Sequence, residues 1–330
     1  MFSFDAFSDM LWSASFGFLE KGNDDCLALR DDMKTVDTVQ AMHSFQTGVH
    51  FNTLCAQFGH LAYRALRSIG QTMRLSSRQN ADLFTGMSKS STSGVDFFSF
   101  MPTQASAKIP TPMSLSEIIA ECSSFLNAGN DTTQITLTNT VHEIAANPAK
   151  QQELYELLTR ALPETSRPIA SHSELQHIPY LRACLDESLR LHPPVRFGLP
   201  RRTTGKGTMI AGHFVPGNTT VSSALQTLHR DGSLFRRPLE YLPERWLPDH
   251  SQSSEEERRN LKEFVMPFTL GPRACIGRNL AYMELSICLA ALIMKFEFTI
   301  SETSRRSFTH FERFNCSAKE LLVSAKVRSP

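Results

Sequence analysis

The chain of 330 residues has no C-x-x-C pair, and its seven cysteines are scattered at Cys26, Cys55, Cys122, Cys184, Cys275, Cys288 and Cys316. An odd number of thiols at irregular spacing excludes a zinc ribbon and a disulfide-stapled scaffold. Charge of one sign is lacking too: 34 Lys and Arg face 33 Asp and Glu, leaving +1. No global basic field exists to hold a nucleic acid. Long hydrophobic runs are absent. The longest uncharged apolar stretch, Leu285 to Met294, is too short for a bilayer and ends at Lys295. The opening Met1-Phe2-Ser3-Phe4-Asp5 has neither the basic nor the apolar region of a signal peptide. There is no internal repeat and no long low-complexity tract. What remains is a globular composition, 41% hydrophobic and 20% charged. The length suits one large domain or two average ones.

The pattern along the chain is mostly helical. Residues 35–75 read as weakly patterned helix. Residues 76–112, rich in Ser, Thr and Gly with Pro102, Pro110 and Pro112, read as a surface loop. Ser114-Leu115-Ser116-Glu117 is a capping box, and the helical pattern it opens runs to Ala146, before Asn147-Pro148. At its centre lies Ala128-Gly129-Asn130-Asp131-Thr132-Thr133. Glycine and β-branched residues weaken a helix there, and such a weakness predicts a functional kink. Further helices are expected over 148–162, 179–192 and 278–296. Residues 196–220 read as small strands, 241–248 and 264–277 as irregular segments, and 296–300 and 321–327 as short tail strands.

The sharpest feature is Phe268-Thr269-Leu270-Gly271-Pro272-Arg273-Ala274-Cys275-Ile276-Gly277. Its fixed positions spell F-x-x-G-x-R-x-C-x-G, a pattern that chance produces in roughly one chain in 10⁴. A buried structural cysteine in a glycine-rich turn is the plain alternative. The segment resembles the haem-binding loop of the cytochrome P-450 family. The resemblance implies that Cys275 is the thiolate ligand of haem iron, that Phe268 packs beside it, and that Arg273 meets a haem propionate. Position just before a helix favours a thiolate, and Gly271 and Gly277 allow backbone to approach the sulfur. A thiolate ligand favours O–O cleavage.

Three further segments are similar to family elements in the expected order. Ala128-Gly129-Asn130-Asp131-Thr132-Thr133 looks like the oxygen-binding element of the long I helix. Small Ala128 and Gly129 would leave room for dioxygen, and Asp131 and Thr132 would deliver protons. Glu187-Ser188-Leu189-Arg190 is similar to E-x-x-R of the K helix, whose partners share one helix face. Pro243-Glu244-Arg245-Trp246 resembles the segment whose arginine joins Glu187 and Arg190 in a buried, structural charged cluster. Arg201, in Leu199-Pro200-Arg201, sits where the family often places a second propionate partner, with Arg202 an equal chemical candidate. Arg196 departs from the usual small or apolar residue there and is a candidate for touching haem or substrate.

Other candidates read plainly. His43, His50 and His60 lack ligand spacing, Glu255-Glu256-Glu257-Arg258-Arg259 reads as a solvated face, and Phe97, Phe98 and Phe100 read as packing or as an access route.

The resemblance covers nearly the whole chain. It implies a mainly α fold with minor β, a single catalytic domain over residues 1–330 holding helices E to L and the C-terminal sheet pieces. The N-terminal helices A to D are expected to be missing. It implies a monooxygenase that inserts one oxygen atom from O₂ into a lipophilic small molecule, in specialised metabolism of fungal type. The cofactor would be haem b, with electrons from NADPH through a flavoprotein reductase. The family's place is the endoplasmic reticulum surface, whereas the chain as given carries no anchor and reads as cytoplasmic. Two readings compete: a non-catalytic haem-binding remnant, and a haem-thiolate isomerase or dehydratase, against which the Asp131-Thr132 pair weighs.

Overall fold

The computed structural model describes residues 18–22, 25–29, 36–40 and 111–328, the last span interrupted at 167–168, 249, 252, 313 and 319–320. The chain divides into two compact units, residues 1–131 and 132–330. In the first unit a single helical turn, α1 (Phe18–Lys21), precedes β1 (Asp25–Leu29) and β2 (Val36–Gln40), an antiparallel pair with Leu27 opposite Thr38. Helix was expected at 36–40. Val36, Thr38 and Val39 are β-branched and lose side-chain freedom in a helix, so the strand wins. The remainder of that expected helix, His43, His50, His60, the loop over 76–110 and Phe97, Phe98 and Phe100 lie outside the described residues.

Helix α2 (Leu115–Ala146) contains the boundary between the units. Its capping box is formed: Ser114 N and Oγ donate to Glu117 Oε2 at 2.8 and 2.7 Å. The helix runs without a break through Gly129 and Thr132-Thr133, so the weak centre does not interrupt its hydrogen-bond ladder. Beyond it, the hydroxyls of Thr136 and Thr140 donate to the carbonyls four residues back, each at 2.8 Å. Those bonds satisfy polar side chains that sit on a buried helix face.

In the second unit, α3 (Pro148–Ala161) and α5 (Pro179–Leu191) both start with proline, whose missing N–H costs nothing at that position. The short α4 (His172–Leu175) lies between them. Two small antiparallel pairs follow, β3 (Arg201–Arg202) with β6 (Thr220–Val221) and, inside them, β4 (Thr208–Ile210) with β5 (His213–Val215). Then come α6 (Leu225–His229), a 3₁₀ turn at Pro243–Trp246, α7 (Glu255–Phe264) and α8 (Arg278–Lys295). The tail holds β7 (Phe296–Thr299), α9 (Glu302–Ser307), β8 (His310–Glu312), β9 (Cys316–Ala318) and β10 (Ser324–Val327). β10 pairs with β7, and β8 with β9. The described chain is mainly helical with small two-stranded sheets.

The core of this unit is the meeting of α3, α5 and α8, with Leu154, Leu158, Leu185, Leu289 and Ile293 fully buried. Each such side chain contributes about 1.5–3 kcal/mol of burial. Polar links fix the register. Gln151 is buried, and its amide both donates to Phe298 O (2.9 Å) and accepts from Phe298 N (2.7 Å). That clamp ties the tail strand to α3.

Candidate active site

The segment before α8 is a tight loop. Thr269 N donates to Met266 O at 3.0 Å, Ala274 N to Gly271 O at 3.0 Å, and Cys275 N to Phe268 O at 2.9 Å. Gly271 has φ of +78°, a conformation that suits glycine, and the 3₁₀ turn Gly271–Arg273 begins there. Gly277 forms the N-cap of α8, where an added Cβ would stand 3.9 Å from Cys275 Sγ. The loop is anchored from behind. Phe268 lies 5.1 Å from the Tyr282 ring, and Tyr282 donates to Asp186 on α5 at 2.6 Å. Arg182 stacks over the Tyr282 ring, 3.5 Å from its centroid, and bonds Asp186 at 2.9 Å.

Cys275 is exposed, while Cys184 and Cys316 are buried and Cys288 half-buried. Burial pushes the Cys184 thiol far up and the Cys288 thiol up to about 12, so neither forms a thiolate near neutral pH. Beside the loop is a cavity of about 330 Å³. Leu199, Arg201, Val221 and Leu225 line it together with Met266, Thr269 and Leu270. One wall forms because the chain at Gly198 presses on residue 223. A Cβ at Gly198 would lie 1.8 Å from Ser223 O, at φ of +74°. Arg201 lines this cavity and Arg202 does not. Arg273 is exposed in its turn, its carbonyl accepting from Thr269 Oγ1 at 3.2 Å.

An accessible soft sulfur, an apolar hollow and two exposed guanidiniums fit a planar apolar macrocycle that carries a metal and carboxylates. Cys275 would hold the metal, with Arg201 and Arg273 on the carboxylates.

Behind the loop, Glu187, Arg190 and Arg245 meet, all with at most 1% exposure. Glu187 Oε2 accepts from Arg190 Nε and from Trp246 Nε1, each at 2.9 Å. Its Oε1 accepts from Arg190 Nη2 at 2.8 Å and from Leu242 N and Arg245 Nε at 3.0 Å each. Burial alone would raise the Glu187 carboxyl; Arg190 and then Arg245 hold it below the ordinary range. Arg190 also donates to the carbonyls of His229 and Pro238, both at 2.8 Å.

Two members of this network escaped the reading of the sequence. Glu257 was expected on a solvated face; it is buried, and it pairs with Arg245 Nη1 and accepts from Arg236 N at 3.1 Å. Its signal was Ser254, three residues earlier, which caps α7 by accepting from Glu257 N at 3.0 Å. That cap turns the third helical residue back against the preceding turn. The other is His229, fully buried, whose Nε2 accepts from Met266 N at 3.1 Å at the start of the cysteine loop. Burial pushes it down to about 4, so the imidazole is neutral and can accept.

The oxygen-binding candidates lie at mid-α2. Ala128 is exposed, Gly129, Asp131 and Thr132 are half-buried, and Asn130 Nδ2 donates to Asp131 Oδ1 at 3.3 Å.

A cytochrome P450 family model matches residues 2–324. The chain is a member of the cytochrome P450 family. Among curated relatives, it is 28% identical over 308 residues to cytochrome P450 monooxygenase AKT7 of Alternaria alternata, covering 92% of this chain and 57% of that one. It is 36% identical over 207 residues to the trichothecene C-15 hydroxylase of Fusarium sporotrichioides, covering 62% and 40%. Over 182 residues it is 40% identical to cytochrome P450 monooxygenase btcC of Neocamarosporium betae, covering 54% and 35%. The chain thus spans between about a third and just over half of the length of these relatives. The family implies haem iron and electrons supplied by a reductase. Among the described residues no helix is long and apolar enough to cross a membrane.

Proposed function

We propose that residues 1–330 form a P450 catalytic domain acting as a haem-thiolate monooxygenase on a lipophilic small molecule of specialised metabolism. The overall reaction balances as substrate C–H, O₂, NADPH and a proton giving C–OH, water and NADP⁺. Haem, when bound, supplies the oxygen activation. Cys275 holds it from the loop, with Phe268 beside the sulfur, Gly271 and Gly277 giving backbone access, and Arg273 and Arg201 holding its carboxylates. Ala128 and Gly129 keep space open, and the Asp131 carboxyl and Thr132 hydroxyl move protons. Glu187, Arg190 and Arg245 keep the loop's backing rigid. Electrons come from NADPH through a flavoprotein reductase at the endoplasmic reticulum surface.

The observation that carries this reading is the exposed Cys275 in a closed turn next to the cavity lined by Leu199, Arg201 and Leu270. Cys275→Ala is expected to lose specific haem binding in a haem titration, and tight binding by the variant would refute the ligand assignment. Thr132→Ala is expected to divert NADPH-derived electrons to hydrogen peroxide, with product per NADPH falling severalfold. Unchanged coupling would remove Thr132 from proton delivery.

A further inference from the structure

From 188 to 230 the chain has no acidic residue, while six Arg and Lys fall in the same span. Arg190 is neutralised by Glu187, and Arg201, Arg202 and Lys206 stand exposed to water. Arg196 and Arg230 are different. Both are half-buried, and the Gln226 amide lies beside the two of them; with its oxygen assigned to their side, as two facing donors require, that oxygen is 3.3 Å from Arg196 Nε and 3.3 Å from Arg230 Nη2. Arg230 gives its other bonds to the Leu191 carbonyl. Among the described residues neither guanidinium has a carboxylate within 4.0 Å. Glu143 is the acid that reaches Arg230 electrostatically, and it is already bonded to His192 at 2.6 Å.

Two half-buried cations sharing one neutral oxygen are under-compensated. Guanidiniums in that setting are satisfied by an anion, and a carboxylate matches their fork. The surroundings are rich in rings. Phe197 and Phe314 meet edge to face at 6.0 Å, and His192 and His310 stack at 5.5 Å. Burial, followed by the field of Arg196, keeps His310 down at about 3. The residues just after Phe197, Gly198 and Leu199, line the cavity beside the cysteine loop.

We propose that Arg196, with Arg230 beside it, is a specificity-determining residue that holds the carboxylate of a lipophilic carboxylic-acid substrate. This rests on the monooxygenase reading, because it gives that site its substrate class. Fixing the charged end leaves the apolar body to lie along the cavity wall.

The test is calorimetric titration of the haem-loaded chain with decanoate, methyl decanoate and inorganic phosphate. Decanoate is expected to bind at least tenfold tighter than the ester. Arg196→Gln should bring the two within about twofold, and Arg196→Lys should keep part of the difference. Equal affinity for acid and ester, no binding of decanoate, or a preference that survives Arg196→Gln overturns the proposal. So does phosphate binding lost in Arg196→Gln while acid and ester bind equally, which would mark a free-anion site. The spectrum of the bound haem separates the two claims. Loss of the thiolate signature with the acid preference intact strikes the monooxygenase reading, whereas the reverse strikes Arg196 alone.

Discussion

Glu187 accepts five hydrogen bonds from Arg190, Arg245, Trp246 and the Leu242 amide, in a site with no access to water. Removing the carboxylate leaves the Arg190 guanidinium buried without a counter-charge and Arg245 with Glu257 alone, so Glu187→Ala is expected to cost about 3–5 kcal/mol, read as a lowered urea midpoint. A loss under about 1 kcal/mol would mean that the cluster is solvated in solution. His229 makes an opposite demand on protons. Its folded value of about 4 lies below the ordinary 6.5. Between those pH values the unfolded chain binds the proton and the folded chain does not. Stability is therefore full above about pH 6.5 and falls as pH drops toward 4, by about 3 kcal/mol at most. His229→Gln is expected to flatten that slope in denaturation curves, and an unchanged slope would assign the loss to other groups. Of these residues, Glu187, Arg190 and Arg245 were legible because two short motifs carry them. His229 and Glu257 were not, because nothing near them in the sequence states which buried donor each will meet.

At the scale of elements, caps and periodicity were readable. The Ser114–Glu117 box, the prolines opening α3 and α5, and the glycine ahead of α8 mark their helices within a residue or two. The β1–β2 pair was missed because five-residue strands with one alternation carry little signal, and tertiary pairing decides. The mid-helix weakness in α2 was read as a kink. Thirteen or more residues of good helix on either side carry the ladder across it. One cap has a consequence beyond its own helix. Ser254 orients the first turn of α7, and that turn delivers Glu257 to Arg245. Ser254→Ala is expected to cost about 1 kcal/mol for the cap itself. A double-mutant cycle with Glu257→Gln should show coupling, since the same turn serves both. Strict additivity would separate the cap from the cluster.

For the whole molecule, the cysteine loop is held by two ties, and the second leads into the Glu187 network. Phe268 packs on Tyr282, and the Met266 amide reaches His229, whose carbonyl accepts from Arg190. The ring stack of Arg182 on Tyr282 joins α5 to α8 directly under the loop. Such a frame keeps an exposed thiol at a fixed place, which a metal ligand requires. The site motif was legible because ten consecutive residues carry it, whereas the cavity wall depends on Gly198 meeting Ser223, twenty-five positions away. No local pattern reports that contact. The measurement that bears most directly on the account is the carbon monoxide difference spectrum of the reduced, haem-loaded chain. The account predicts the red-shifted Soret band of a thiolate-ligated haem, lost in Cys275→Ala. A band of histidine-ligated or loosely bound haem in the unmodified chain would contradict it.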